Sequence, residues 1–90
     1  MAKAVWKYAF DKQQQVFSMP RGARILCVQL QRNTPCLWVL VTIEPDFPVE
    51  DRYFDIVGTG HQILDESRKY IGTFQVHNGD LVWHVFETTK

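Results

Sequence analysis

An excess of charge of either sign is missing from this chain. Its 90 residues carry ten Lys and Arg against ten Asp and Glu, a formal net charge of zero. A neutral chain has no long-range pull toward extended nucleic acid or an anionic membrane surface. Cysteine is scarce. Cys27 and Cys36 are too few for a disulfide scaffold, and the expectation is free thiols in the cytoplasm. Long apolar runs are absent. The longest nearly uncharged stretch, Ile25 to Ile43, is interrupted by Gln29, Gln31, Arg32, Asn33, Thr34 and Pro35, which is too broken for a membrane-spanning helix. Met1 to Phe10 mixes Lys3 and Lys7 into a short aromatic stretch, without the apolar region or cleavage site of a secretory leader. Repeats, low-complexity tracts and a sustained 3.6-residue apolar period are missing too.

What is present is apolar and aromatic. Hydrophobic residues make up 46% of the chain and aromatics 13%, enough for a modest core in one domain of 90 residues. Turn residues cluster at Met19-Pro20-Arg21-Gly22, at Asn33-Thr34-Pro35, across Glu44 to Asp51, at Gly58-Thr59-Gly60 and at Asn78-Gly79. The stretches between are rich in β-branched and aromatic residues, the punctuation of an all-β chain. Strands are expected over 4–10, 13–18, 23–31, 36–43, 52–57, 70–77 and 81–87, with one short helical turn over Gln62 to Lys69.

Two hairpins have a readable register. Asn78-Gly79 favours a two-residue type I′ turn. It places Val76 opposite Leu81, Gln75 opposite Val82, Phe74 opposite Trp83 and Thr73 opposite His84, with His77 facing Asp80. Phe74, Val76, Leu81, Trp83 and Val85 then share one face. A turn at Asn33-Thr34 pairs Leu30 with Leu37, Val28 with Val39 and Leu26 with Val41, giving one wholly apolar face. The opposite face carries Ile25, Cys27, Gln29, Gln31, Cys36, Trp38, Leu40 and Thr42. It is half apolar and calls for a cover, of which a second copy is the simplest. Cys27 and Cys36 share it without being opposite, so no disulfide is expected. The architecture implied is a small antiparallel sandwich or partly open barrel of six to seven strands.

Catalytic and metal motifs are lacking. His61, His77, His84, Cys27 and Cys36 show no CxxC, HxH or HxxxH spacing, and no GxSxG, P-loop or GxGxxG occurs. No cofactor is implied, and non-enzymatic binding is the expectation. Gly58-Thr59-Gly60-His61 is the most informative segment. Glycines permit close backbone approach, free amides form an anion-binding nest, and Thr59 and His61 can donate to phosphate. Its plain alternative is a strand-to-loop turn. Arg21, Arg24 and Arg52 are candidates to neutralise phosphate or carboxylate. Trp38 and Tyr53 are candidates to stack on a base.

The strings Met19-Pro20-Arg21-Gly22-Ala23-Arg24-Ile25-Leu26, Pro35-Cys36-Leu37-Trp38, Gly58-Thr59-Gly60-His61, Tyr70-Ile71-Gly72-Thr73-Phe74-Gln75 and Leu81-Val82-Trp83-His84-Val85-Phe86-Glu87 resemble a family of short, uncharacterised phage and prophage proteins. The resemblance implies a setting in the cytoplasm of a bacterial host and a protein that acts by binding. The expectation that follows is a homo-oligomeric sponge for a nucleotide-derived host defence signal. Gly58, Thr59, Gly60 and His61 would hold phosphate, Arg21 or Arg52 would neutralise it, and Trp38 or Tyr53 would stack on the base. The alternatives are an inhibitor that binds a host protein through the half-apolar hairpin face, a minor phage structural or accessory protein, and an enzyme that cleaves the same signal.

Overall fold

In a computed structural model, which describes residues 1–63 and 67–89, the chain forms seven strands in two antiparallel sheets. The strands are β1 (Ala2–Ala9), β2 (Gln14–Pro20), β3 (Arg24–Gln31), β4 (Thr34–Ile43), β5 (Val49–Gly58), β6 (Lys69–Val76) and β7 (Leu81–Thr88), with a 3-10 turn at His77–Gly79. One sheet has the order β1-β4-β3 and the other β2-β5-β7-β6. Of the helical turn expected over Gln62 to Lys69, positions 64–66 lie outside the described residues. Gln62 and Ile63 carry no regular structure and Lys69 already begins β6.

The sheets face each other across a core of Phe10, Met19, Ala23, Val28, Leu37, Val39, Val41, Phe54, Phe74 and Val85. Alternation explains why these residues meet. Leu37, Val39 and Val41 fall on one side of β4, and Phe54 falls on the inward side of β5. Phe10, Phe17 and Phe54 pack with ring centroids 5.2–6.3 Å apart, and Tyr8 joins Phe17 at 5.3 Å. Burial against Phe17 pushes the Tyr8 phenol above its ordinary value.

The second hairpin keeps the expected pairs from Thr73–His84 to Val76–Leu81. Asn78 (φ 56°, ψ 31°) and Gly79 (φ 94°) have the left-handed dihedrals of a type I′ turn. His77 is left-handed as well and leaves the strand, so it does not pair with Asp80 across the ladder. Leu81, at the strand end, is 44% exposed rather than core.

The first hairpin corrects the expectation. It turns at Arg32-Asn33, both with positive φ, and pairs Gln31 with Thr34, Gln29 with Cys36, Val28 with Leu37 and Cys27 with Trp38. A turn at Asn33-Thr34 would have forced β-branched Thr34 into the left-handed region, which its side chain resists. The shift is two residues, so the faces survive it. A bulge at Leu26 then swaps the remainder, so Ile25 faces Val39 and packs on the core while Leu26 is 45% exposed.

A second bulge lies at Ile71 in β6. The two bulged edges, β3 and β6, are the edges where the sheets come together. At Gly72 an added Cβ would sit 2.6 Å from Val28 Cγ1, so a glycine is what lets the strands approach. No ladder joins β3 to β6, and the sandwich stops short of a closed barrel. β5 and β6 run parallel with β7 between them, so the connection from β5 to β6 leaves one end of the sheet and enters at the other. Thr59 and Arg68 attach this crossover to His84 and Asp55 on the outer face.

Candidate functional site

The residues expected to form one site are distributed over the molecule. Trp38 and Tyr53 lie on the outer faces of different sheets and point away from each other across the sandwich. They cannot stack on one base. Trp38 is half-buried, with its indole Nε1 enclosed and without an acceptor among the described residues. Arg52 and Gly58 sit six residues apart on one strand, about 20 Å.

The loop from Gly58 to His61 is closed on itself. The Thr59 amide donates to the Val82 carbonyl at 3.3 Å and the His61 amide donates to the Gly58 carbonyl at 3.1 Å. Two of the amides a phosphate nest needs are therefore in use. Gly58 is small for a packing reason, because a Cβ there would lie 3.2 Å from both the Trp83 and His61 rings. Gly60 (φ 88°) supplies the left-handed turn. His61 lines a cleft with Lys12 and Gln62, and Tyr53 lines a neighbouring one; Asp55 and Arg68, joined by an ion pair, are common to both.

Thr59 belongs instead to a chain of side-chain hydrogen bonds on the outer face of the four-stranded sheet. Its hydroxyl donates to the Val82 carbonyl at 3.1 Å. A carbonyl only accepts, so Thr59 Oγ1 takes a proton from His84 Nε2, 2.7 Å away. Nδ1 lies 2.9 Å from the Thr73 hydroxyl, and the Tyr70 hydroxyl meets Thr73 at 2.5 Å.

Arg52 is placed differently from the other candidates. It is on the inward side of β5, near the open β3–β6 seam, and both its side chain and that of Glu87 are mostly buried. Nε donates to Glu87 Oε2 at 2.6 Å, a terminal nitrogen to Glu87 Oε1 at 2.9 Å, and the other to the Ala23 carbonyl at 2.6 Å. The bond to Glu87 raises the guanidinium above its ordinary value, against the lowering effect of its own burial. Three of five N–H donors are used, which leaves one on each terminal nitrogen.

Around Arg52 is a cavity of about 360 Å³ lined by Gly22, Ala23, Arg24, Ile25, Lys69, Tyr70 and Ile71. Arg24 and Lys69 are exposed and form no ion pair among the described residues. Tyr70 is 56% exposed, with its ring edge-on to Phe86 at 5.7 Å. The Pro20–Ala23 turn forms one wall. Gly22 takes φ 76° there, as the third residue of a type II turn requires, and its amide donates to Glu50 Oε2 at 3.1 Å. Arg21 belongs to the same turn, and its amide bonds the Pro48 carbonyl.

The family model for a domain of unknown function, DUF7352, matches residues 1–90, the whole chain. The chain belongs to this family. No curated protein and no solved structure matches it. Within the DUF7352 fold the seam cavity joins Arg24 and Arg52, both legible as anion partners in the sequence, with Lys69 and Tyr70, which were not. Lys69 and Tyr70 begin β6, and only the β3–β6 approach brings them beside Arg24. Among the described residues no three His, Cys, Asp or Glu side chains gather where they could hold a metal ion, and no helix is long and apolar enough to cross a membrane.

Proposed function

We propose that this DUF7352 domain is a non-enzymatic binding protein for a small phosphate-bearing ligand of the nucleotide class, which it sequesters. The cationic cavity at the β3–β6 seam carries this reading. Arg52 is held in place by Glu87 and Ala23, so it is ready to donate with little loss of freedom on binding. Arg24 and Lys69 supply the charge that Glu87 has not already matched. Tyr70 offers an exposed ring at the rim for a base, a contact that contributes about 1–3 kcal/mol in single-stranded nucleic-acid complexes. The likeness to short phage proteins supports a setting in which the captured molecule is a host defence signal in a bacterial cytoplasm. Relative to the sequence expectation, the ligand moves from the Gly58–His61 loop to the other end of β5.

Titration calorimetry with AMP, a cyclic dinucleotide and pyrophosphate tests the proposal. At least one should bind, more weakly as salt rises. The Arg24→Gln/Lys69→Gln double variant, altered at two exposed side chains, should keep its melting temperature and lose the binding. The nucleotide should be recovered chemically unaltered after heat denaturation. Silence toward all three probes, or unchanged affinity in the double variant, refutes the site. A cleaved nucleotide refutes sequestration.

A further inference from the structure

The neutral chain is not neutral in its parts. Residues 1–43 carry Lys3, Lys7, Lys12, Arg21, Arg24 and Arg32 against Asp11 alone, and residues 44–90 carry nine acids against four bases. The division follows the fold. None of the three strands of the β1-β4-β3 sheet contains Asp or Glu. Its outer face is built in rows that the register defines. Lys3 lies beside Thr42; Val5 and Arg24 flank Leu40; Lys7 and Cys27 flank Trp38. Apolar side chains therefore run down the central strand, with Val5 54% and the bulged Leu26 45% exposed beside them. The cations stand on the two outer strands, Lys3 and Lys7 on one side and Arg24 on the other. Lys7 reaches over the sheet to Gln31 Oε1 at 2.7 Å.

The spacing selects what fits. The outer two strands are about 10 Å apart and the face is about 26 Å long. An α-helix is about 10–12 Å across with its side chains, and about 17 residues of it cover 26 Å. A second copy of this face would bring lysines against lysines, and a phosphate backbone would leave the apolar centre unmatched. From this charge complementarity we infer that the outer face of the three-stranded sheet docks an acidic amphipathic helix of a partner protein. The apolar stripe of that helix lies on Leu40 and Trp38, and its flanking carboxylates meet Lys3 and Lys7 on one edge and Arg24 on the other. This surface shares Arg24 with the seam cavity, whereas Lys3 and Lys7 belong to it alone.

The test uses the whole chain and a labelled 18-residue helical peptide with a leucine stripe flanked by glutamates. Its lysine-flanked counterpart, double-stranded DNA and phosphatidylserine vesicles serve as competitors. Fluorescence anisotropy should show binding to the acidic peptide that weakens with salt. Lys3→Glu/Lys7→Glu should weaken it about ten-fold or more, because two attractions become two repulsions, while the circular dichroism spectrum is unchanged. Backbone amide shifts on binding should fall on β1, β3 and β4. Absence of binding, equal binding of the lysine-flanked peptide, or indifference to the double charge reversal overturns the inference. Preferential binding of DNA or vesicles overturns the assignment to a protein partner. Retained peptide binding in Lys69→Gln, with weakened nucleotide binding, would show that the two sites stand or fall separately.

Discussion

Gly72→Ala is the sharpest test of the open seam. The added methyl carbon would sit 2.6 Å from Val28 Cγ1 and 3.8 Å from the Val28 amide nitrogen. Carbon pairs in good contact are about 3.5–4.0 Å apart, so the shortfall is about 1 Å. Val28 has little room to yield. It is only 6% exposed, and a β-branched side chain is stiff about χ1. Inserting a methyl group into such a site costs about 1–3 kcal/mol, which for a domain of this size lowers the melting temperature by roughly 5–20 °C. Val28→Ala alone should cost about 2 kcal/mol through lost burial and the space left behind. In that background Gly72→Ala should cost nothing, or stabilise by up to about 1 kcal/mol by restricting the unfolded chain. Urea unfolding of the four proteins, followed by circular dichroism, closes the cycle. A coupling of about 1–3 kcal/mol is expected. Additive single effects, or a Gly72→Ala cost below about 0.5 kcal/mol, would refute the close packing of β3 on β6.

Three further outcomes follow from the same structure. Glu87→Gln should destabilise by about 3 kcal/mol, the lower end for breaking a buried pair, because it leaves the Arg52 charge unmatched; Arg52→Met/Glu87→Leu should recover most of that in urea unfolding. Replacing Arg32-Asn33 by Asn-Gly should raise stability by about 0.5–1 kcal/mol, read as a shifted urea midpoint at constant slope, since both positions already have positive φ. Alkaline pH should weaken the fold through Tyr8. Folding raises its phenol above 10, so its contribution is complete below the unfolded value and fades as the pH rises through the folded one. Between about pH 9 and 11 the wild type should therefore lose more stability than Tyr8→Phe, and equal losses would remove Tyr8 from the account.

The local grammar of the chain was open to reading. Turn residues and alternation located all seven strands, and Asn78-Gly79 set its hairpin register, because both depend on a few neighbouring residues. The Arg32-Asn33 turn was harder, since Asn33-Thr34 competes for the same loop and the wrong choice leaves the apolar faces unchanged. The Leu26 bulge had no local mark, as Ile25 and Leu26 are equally apolar. The site failed for a different reason. Gly58-Thr59-Gly60-His61 looks the same in sequence whether its amides are free or bonded to Val82 and Gly58.

The all-β class, the strands, the chemistry of the loops and the segregation of charge between the first and second halves are written in the order of the residues, because they are properties of neighbours in the chain. What the charges do depends on how the strands are assembled. Folding put three acid-free strands into one sheet, which turned a neutral chain into one with a cationic face. It paired Arg52 with Glu87, 35 positions away, and set Arg24 beside Lys69 across a seam that Gly72 holds narrow. Those neighbours are distant in the chain and belong to no common hairpin, so their meeting follows from the packing of one sheet on the other.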